Sequence, residues 1–316
     1  MRRLGAAVIA AAVAVLLLAL SGALFGHSPF TLLAILASGS VGSRFALEGS
    51  LLKSVPLLLT GLSVVIAFRA GVWNIGGEGQ FIVGGLAALA AARFGAITAL
   101  AAAMLAGAAW ASIASAMRLW RNAPEVLTTI LLNFTAIHLL GWSVNGPLRE
   151  RAAQYPQSDL AAVSLPKFAG FLLAIAASAL SWWLLYRTAE GLRLRATGFN
   201  PNAARWAGIR VGAQIVRAMA ISGAAAGLAG GIELLGVTHR LFERFAAGYG
   251  YSGIAVALLA QLHPLGSIAS ALFFGALVTG AGELQRAADI SAGVATFGQA
   301  VVILTLIVFE NVRARR

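Results

Sequence analysis

Long apolar runs separated by short polar connections set the plan of this chain. Leu4–Leu24 is apolar apart from one serine and two glycines, and Val211–Leu235, Gly266–Gly282 and Ser291–Phe309 repeat the pattern. Runs of about 20 apolar residues match the thickness of a bilayer core. Alanine and leucine dominate and strict alternation is absent, which favours helices over an outer-membrane barrel. The pattern predicts ten membrane segments, at about 4–25, 54–69, 78–93, 96–117, 125–142, 168–186, 212–235, 251–262, 266–283 and 291–309. Residues 27–52, with Arg44, Glu48 and Lys53 nearby, read as an interfacial stretch. The run Tyr251–Leu262, stopped by His263-Pro264, has 12 residues. At 1.5 Å per residue that is too short for a core of ~30 Å, so it reads as a half-helix that breaks within the protein. The first run reads as an uncleaved first helix, being long for the core of a signal peptide. The reading is therefore all-α: one polytopic transmembrane helical bundle over 1–316, including one short or broken helix.

Composition agrees. The 316 residues are 59% hydrophobic and 11% charged, against roughly 25% charged in soluble proteins. The net charge of +12 lies mostly in the connections. With Arg2 and Arg3 inside, alternation places fourteen of the 23 basic residues on the inner side: Arg2, Arg3, Arg69, Arg118, Arg121, six arginines from Arg187 to Arg217, and three in the tail. This is the positive-inside pattern, and it puts both termini in the cytoplasm. No recognition motif accompanies the charge, so nucleic acid is not an expected partner. The absence of cysteine excludes disulfides and thiol chemistry. His27, His138, His239 and His263 are far apart, no H-E-x-x-H exists, and no metal site is expected. Lys53 and Lys167 are the only lysines, and neither lies in a G-x-x-x-x-G-K-[ST] loop. The chain therefore carries no P-loop with which to hydrolyse ATP. Gly248–Gly253, GYGYSG, fits G-x-G-x-x-G but opens a membrane segment, and reads as the entrance to a broken helix rather than a dinucleotide site.

The stretch AGVWNIGGEGQFIVGG, residues 70–85, sets Asn74, Glu78 and Gln80 among glycines between two apolar runs. Ionisable groups within a bilayer face a bundle interior or a wet cavity. The glycines let helices approach closely or unwind. A break is expected here, with Glu78 capping or pinning it through backbone N–H groups or through an arginine such as Arg69. Contact with a passing substrate and interfacial exposure are the other readings of Glu78. Asn133, His138, Glu233 and Gln261 are further polar residues in apolar surroundings. Each reads as a helix–helix hydrogen bond, with pathway lining as the alternative.

The basic loop, about 187–210, contains NPNAARWAGI. Asn200 suits an N-cap and Pro201 the first helical position, with Gly198 supplying the turn before them. Arg193, Arg195, Arg205 and Arg210 surround this short helix. It reads either as a topogenic loop or as a docking helix presented to an acidic partner.

GLRLRATGFNPNAARWAGIRV resembles the cytoplasmic coupling segment of permease subunits from the ribose/nucleoside branch of ABC importers. NIGGEGQFIVGG is similar to their N-I-G-x-E-G-Q stretch, and PEVLTTILLNFTA to their N-E-V-x-x-T-I-M-L-N-Y segment. NGPL at 145–148 and GYSGIAVALLAQLHPLGSIASALFFGAL at 250–277 follow in the same order. Ala123 before Pro124, where Asn is usual, and Leu132 in place of Met are mild departures. The resemblance implies a non-catalytic permease for nucleosides or related ribosyl compounds, with a simple sugar such as a pentose, or an ion-coupled carrier, as alternatives. Its implied partners are ABC ATPase subunits holding ATP and Mg, a second paralogous permease and an extracytoplasmic substrate-binding protein. Coupling to the ATPase would fall to Arg195, Gly198, Asn200, Pro201, Ala204, Arg205 and Gly208. Pathway or helix-break roles would fall to Asn74, Glu78, Gln80, Asn133, His138 and Gln261.

Overall fold

The structure is a computed structural model that describes residues 28–152 and 154–288, plus isolated positions among 9–16 and 293–305. The segments expected at 4–25 and 291–309 lie outside the continuously described residues. The described chain is helical: α1 Pro29–Val41, α2 Arg44–Arg69, α3 Gly77–Ala91, α4 Ala96–Arg121, α5 Glu125–Asn145, α6 Ala169–Arg187, α7 Ala189–Phe199, α8 Pro201–Trp206, α9 Val211–Glu233, α10 Tyr249–Leu259 and α11 Gly266–Ala288. Among the described residues, six helices are long and apolar enough to cross a membrane: α2, α4, α5, α6, α9 with its π-helical extension to Thr238, and α11.

Two expectations change. The stretch at 27–52, expected as a polar connection, is largely helical: residues 29–41 form α1 and residues 44–52 the first turns of α2. Ser43 caps α2 by accepting from the Ala46 N–H at 3.0 Å. Its early charges find partners, so they do not end the helix. Glu48 pairs with Arg44 at 3.2 Å and with Lys167, and Lys53 donates to the Tyr249 hydroxyl at 2.9 Å. α1 lies against α11, where the Ser40 hydroxyl donates to the Ala276 carbonyl at 2.7 Å. The basic loop about 187–210 is likewise ordered, as α7 and α8.

α2 and α9 form the centre. α2 is wrapped by α6, α9, α10 and α11, and its residues from Ser54 to Ala67 are all buried. α9 lies against α2, α3 and α4. Its face of small residues makes this approach possible: a Cβ on Gly223 would collide with the Gly107 carbonyl of α4, and one on Gly227 with the Ala103 carbonyl. Without a hydrophobic force between helices in lipid, close backbone approach is a main source of association.

Contacts sort the connections into two ends. Gly71 lies against Gly198, Gly212 against Leu119, and Arg69 donates to the Leu262 carbonyl. One end of the bundle therefore gathers Arg69, Arg118, Arg121 and the arginines from 187 to 217. At the other end, residues 146–168 meet the loop after α9, through Leu165 N–H to Leu235 O at 2.8 Å and Ser158 N–H to Leu241 O at 2.9 Å.

Candidate functional site: a polar knot where three helices break

α2 stops at Arg69, and Ala70–Gly76 returns into the buried interior before α3 begins. Exposed backbone groups in such a break need partners. The Asn74 side chain supplies several. Its Oδ1 accepts from the Gly76 N–H at 2.9 Å, and its amide pairs reciprocally with that of Gln80, at 3.0 and 2.9 Å. Asn74 also donates to the Ser222 hydroxyl of α9 at 2.8 Å. Ser222 in turn donates to the Ser63 carbonyl of α2 at 2.7 Å. Asn133 of α5 spans the break: Oδ1 accepts from the Gly79 N–H, and Nδ2 donates to the Ile75 carbonyl, both at 2.8 Å. Asn74, Gln80, Asn133 and Ser222 are all buried. Replacing Asn133 by Leu strands a buried donor and a buried acceptor. It is expected to lower stability by about 3 kcal/mol, read as a fall in the thermal midpoint of the detergent-solubilised protein.

Glu78 does pin a helix break through backbone N–H groups, but the break is not the adjacent one. Its carboxylate accepts from the N–H groups of Gly248 and Gly250, both at 2.8 Å. These open α10, the half-helix anticipated at 251–262. Orphan N–H groups and the positive end of the helix dipole both favour a carboxylate there. The GYGYSG glycines explain themselves. Gly248 has φ +83°, a left-handed conformation, and a Cβ on Gly250 would strike the backbone of Gly77 and Glu78. A Cβ on Gly253 would likewise collide with Thr60 of α2.

Arg69, the other partner considered for Glu78, is engaged at the opposite end of α10. Its guanidinium donates to the carbonyls of Leu262 at 2.8 Å and Gln261 at 3.1 Å. A cation there complements the negative end of the dipole. The last residue of α2 and the second residue of α3 thus clamp the two ends of one short helix. Near its start, Lys53, Tyr249 and the buried Glu233 of α9 form an electrostatically linked group.

The structure gathers Asn74, Glu78, Gln80 and Asn133 into this knot. His138 is elsewhere, exposed on α5 beside exposed Phe134 and Leu139. Gln261 lies past the C-terminus of α10, at φ +52°. Ser63, Ser222 and Tyr251, whose hydroxyl receives Asn133 at 3.2 Å, complete the network. Their only signal in the sequence is a lone hydroxyl within an apolar run. Among the described residues no three His, Cys, Asp or Glu side chains are grouped to hold a metal.

At the arginine-rich end, Asn200 caps α8 by accepting from the N–H groups of Asn202 and Ala203, both at 3.0 Å, with Pro201 at the first position. Gly198 does not make a turn. It lies in the last turn of α7, where a side chain would collide with the Arg69 carbonyl. Gly208, at φ +79°, ends the α8 segment, and Ala204 is its buried contact. Arg195 folds back, donating to the Leu185 carbonyl at 2.9 Å and stacking over Tyr186. Arg205 is exposed, as are Phe199 and Trp206.

The profile of the family described as "Branched-chain amino acid transport system / permease component" matches residues 46–309. The chain is 33% identical to the glucose ABC transporter permease protein TsgB13 of Haloferax volcanii, over 85% of this chain and 77% of that protein. It is 30% identical to the guanosine ABC transporter permease protein NupP of Bacillus subtilis, over 88% and 86%. It is 27% identical to the nucleoside ABC transporter permease protein NupB of Lactococcus lactis, over 81% and 78%. A helical membrane bundle whose buried breaks are closed by its own polar side chains, matched over most of its length by that profile, belongs to the family of ABC transporter permease components.

Proposed function

We propose that this chain is one of two paired permeases of a bacterial inner-membrane importer for nucleosides, with about ten membrane segments and both termini in the cytoplasm. ATPase subunits holding ATP and Mg drive it, and an extracytoplasmic binding protein delivers the cargo. Support for the cargo comes from the guanosine and nucleoside permeases to which the chain is similar. The glucose permease at 33% identity supports a sugar as the second reading.

The observation that carries the mechanism is the contact of α7 with the break. α8 is the coupling helix, presenting Arg205 to the ATPase. Its motion reaches Gly198, which presses on the Arg69 carbonyl, and Arg69 holds the C-terminal end of α10. Glu78 ties the N-terminal end of α10 to α3. A push on α8 therefore moves α10 as a unit with the end of α2 and the start of α3. The ATPase can bias this only by binding its alternative positions with different strength.

Two substitutions test the linkage. Arg205→Glu reverses the exposed charge, and Gly208→Val forces a β-branched residue to φ +79°. Each is expected to reduce guanosine uptake at least about tenfold, the effect of ~1.4 kcal/mol on a coupling equilibrium, while the amount of chain in the membrane is unchanged. Normal uptake by both variants would refute coupling through α8. Competition by unlabelled glucose, with none by guanosine, would select the sugar reading. Uptake by this chain reconstituted alone would select an ion-coupled carrier.

A further inference from the structure

α10 turns into α11 through residues 260–265, and His263 sits in that turn. Its ring stacks on Tyr186 of α6, with centroids 5.6 Å apart and planes 27° from parallel. Arg195 of α7 also lies over the Tyr186 ring, its guanidinium carbon 5.0 Å from the centroid. Stacked rings and cations over tyrosine both attract. Tyr186 thus meets the coupling segment and the α10–α11 turn at once. Two hydrogen bonds hold the arrangement. Arg195 donates to the Leu185 carbonyl of α6 at 2.9 Å, and Ser178 of α6 donates to the Pro264 carbonyl at 2.9 Å.

His263 serves here as a neutral ring. Its Nδ1 accepts from the Gly266 N–H at 3.3 Å, one of the open N–H groups at the start of α11. A protonated imidazole has no acceptor nitrogen. It would set a donor against that N–H, and a cation against the positive end of the α11 dipole. The charges around it have one sign: Arg69 at the end of α2 and, across Tyr186, Arg195 of α7. α10 has no charged residue, and the first on α11 is Glu283, at its far end. Burial and the Arg69 guanidinium hold the imidazole below its ordinary value of 6.5. The folded chain therefore binds this proton more weakly than the unfolded one. The stability linked to this ring is complete above about pH 6.5 and declines as the pH falls below it.

We propose that Arg195, Tyr186 and neutral His263 form a second link from the coupling segment into the spans, one that acidification of that face releases. The contact of Gly198 with Arg69 ends on α10. The stack reaches the turn that starts α11, and so adds a membrane span to the moving body. Arg195 and His263 are positioning residues, acting through Tyr186 and not on the cargo. The inference rests on the reading of α8 as the coupling helix.

The test uses the whole importer in liposomes, its ATPase outward, with guanosine and the binding protein sealed inside. The bath then sets the pH at His263. The readout is guanosine moved per ATP hydrolysed at about pH 7.5 and about pH 5.5, either side of the ordinary histidine value. The parent should lose severalfold on acidification. His263→Phe keeps a ring that takes no proton, so it should match the parent at the higher pH and hold that ratio at the lower. His263→Asn keeps an acceptor for the Gly266 N–H but no ring, so it should be severalfold low at both. A role in capping alone reverses that order, with Asn like the parent and Phe impaired, and would overturn the inference. So would a parental acid response in His263→Phe. Tyr186→Phe should behave as the parent and Tyr186→Leu as His263→Asn. Arg205→Glu separates the two levels. Normal transport by it would remove coupling through α8 itself, and the stack with it. Loss in Arg205→Glu, with a parental ratio in Tyr186→Leu, would remove the stack alone. The thermal midpoint of the chain in detergent needs no cargo. It should fall on the same acid step in the parent and fall less in His263→Phe, and equal falls would contradict the pH dependence.

Discussion

Glu78→Gln is expected to destabilise the protein by about 3 kcal/mol and abolish transport. The carboxylate offers two acceptor oxygens to two N–H groups, those of Gly248 and Gly250. An amide offers one oxygen, and its NH2 must then face an N–H. One buried donor loses its partner at about 1–3 kcal/mol, and the loss of the charge at the N-terminus of α10 adds up to ~2 kcal/mol. Glu78→Ala frees both N–H groups and should cost more. Glu78→Asp retains the charge but is one methylene short of both partners, so it should also fall below the parent. Thermal midpoints in detergent should rank the parent above Gln and Gln above Ala. Ala equal to the parent would mean that the clamp on α10 carries no weight.

Gly227→Leu is the second large effect. A side chain at 227 would meet the Ala103 carbonyl and Gly107 of α4, while a Cβ on Gly84 of α3 would strike the Gly227 carbonyl from the other side. Three helices converge there on bare backbone, which has no rotamer with which to yield. Overpacking of a tight core costs about 1–3 kcal/mol where neighbours can move. Here the upper end or beyond is expected, with loss of the folded chain from the membrane. Gly282→Leu on α11, where a Cβ meets nothing within 4 Å, is the matched control and should accumulate normally. Equal accumulation of both variants would contradict the close approach of α9 to α3 and α4.

The elements legible in the sequence were those whose physics is local. Asn200-Pro201 announces a helix start through a side chain two residues from its partner. The run ended by His263-Pro264 is too short to span. Glu78 among glycines required N–H groups or a cation, and N–H groups are what it has. The partners were not legible, because they lie far away in the chain: Glu78 bonds residues 170 and 172 positions on. Periodicity carries no information about such pairs. The same distance hid the true start of α2. Glu48 and Lys53 looked like an interface because Lys167 and Tyr249, which partner them, come more than a hundred residues later. α7 was obscured by its own arginines. A helix rich in Arg and Glu reads as a polar loop until α6 and α9 are seen to back it. His138 shows the opposite limit, since a polar residue in an apolar run faces outward here, away from the buried network.

The absence of cysteine allows a direct test of the central claim, that α8 is the cytoplasmic handle of an ATPase-driven permease. Single cysteines at Asn202 on α8 and at Gln154 in the loop at the opposite end would be exposed to a membrane-impermeant maleimide in intact spheroplasts. The account predicts labelling at 154 and none at 202 until the membrane is opened. Labelling at 202 from outside, with 154 protected, would contradict it.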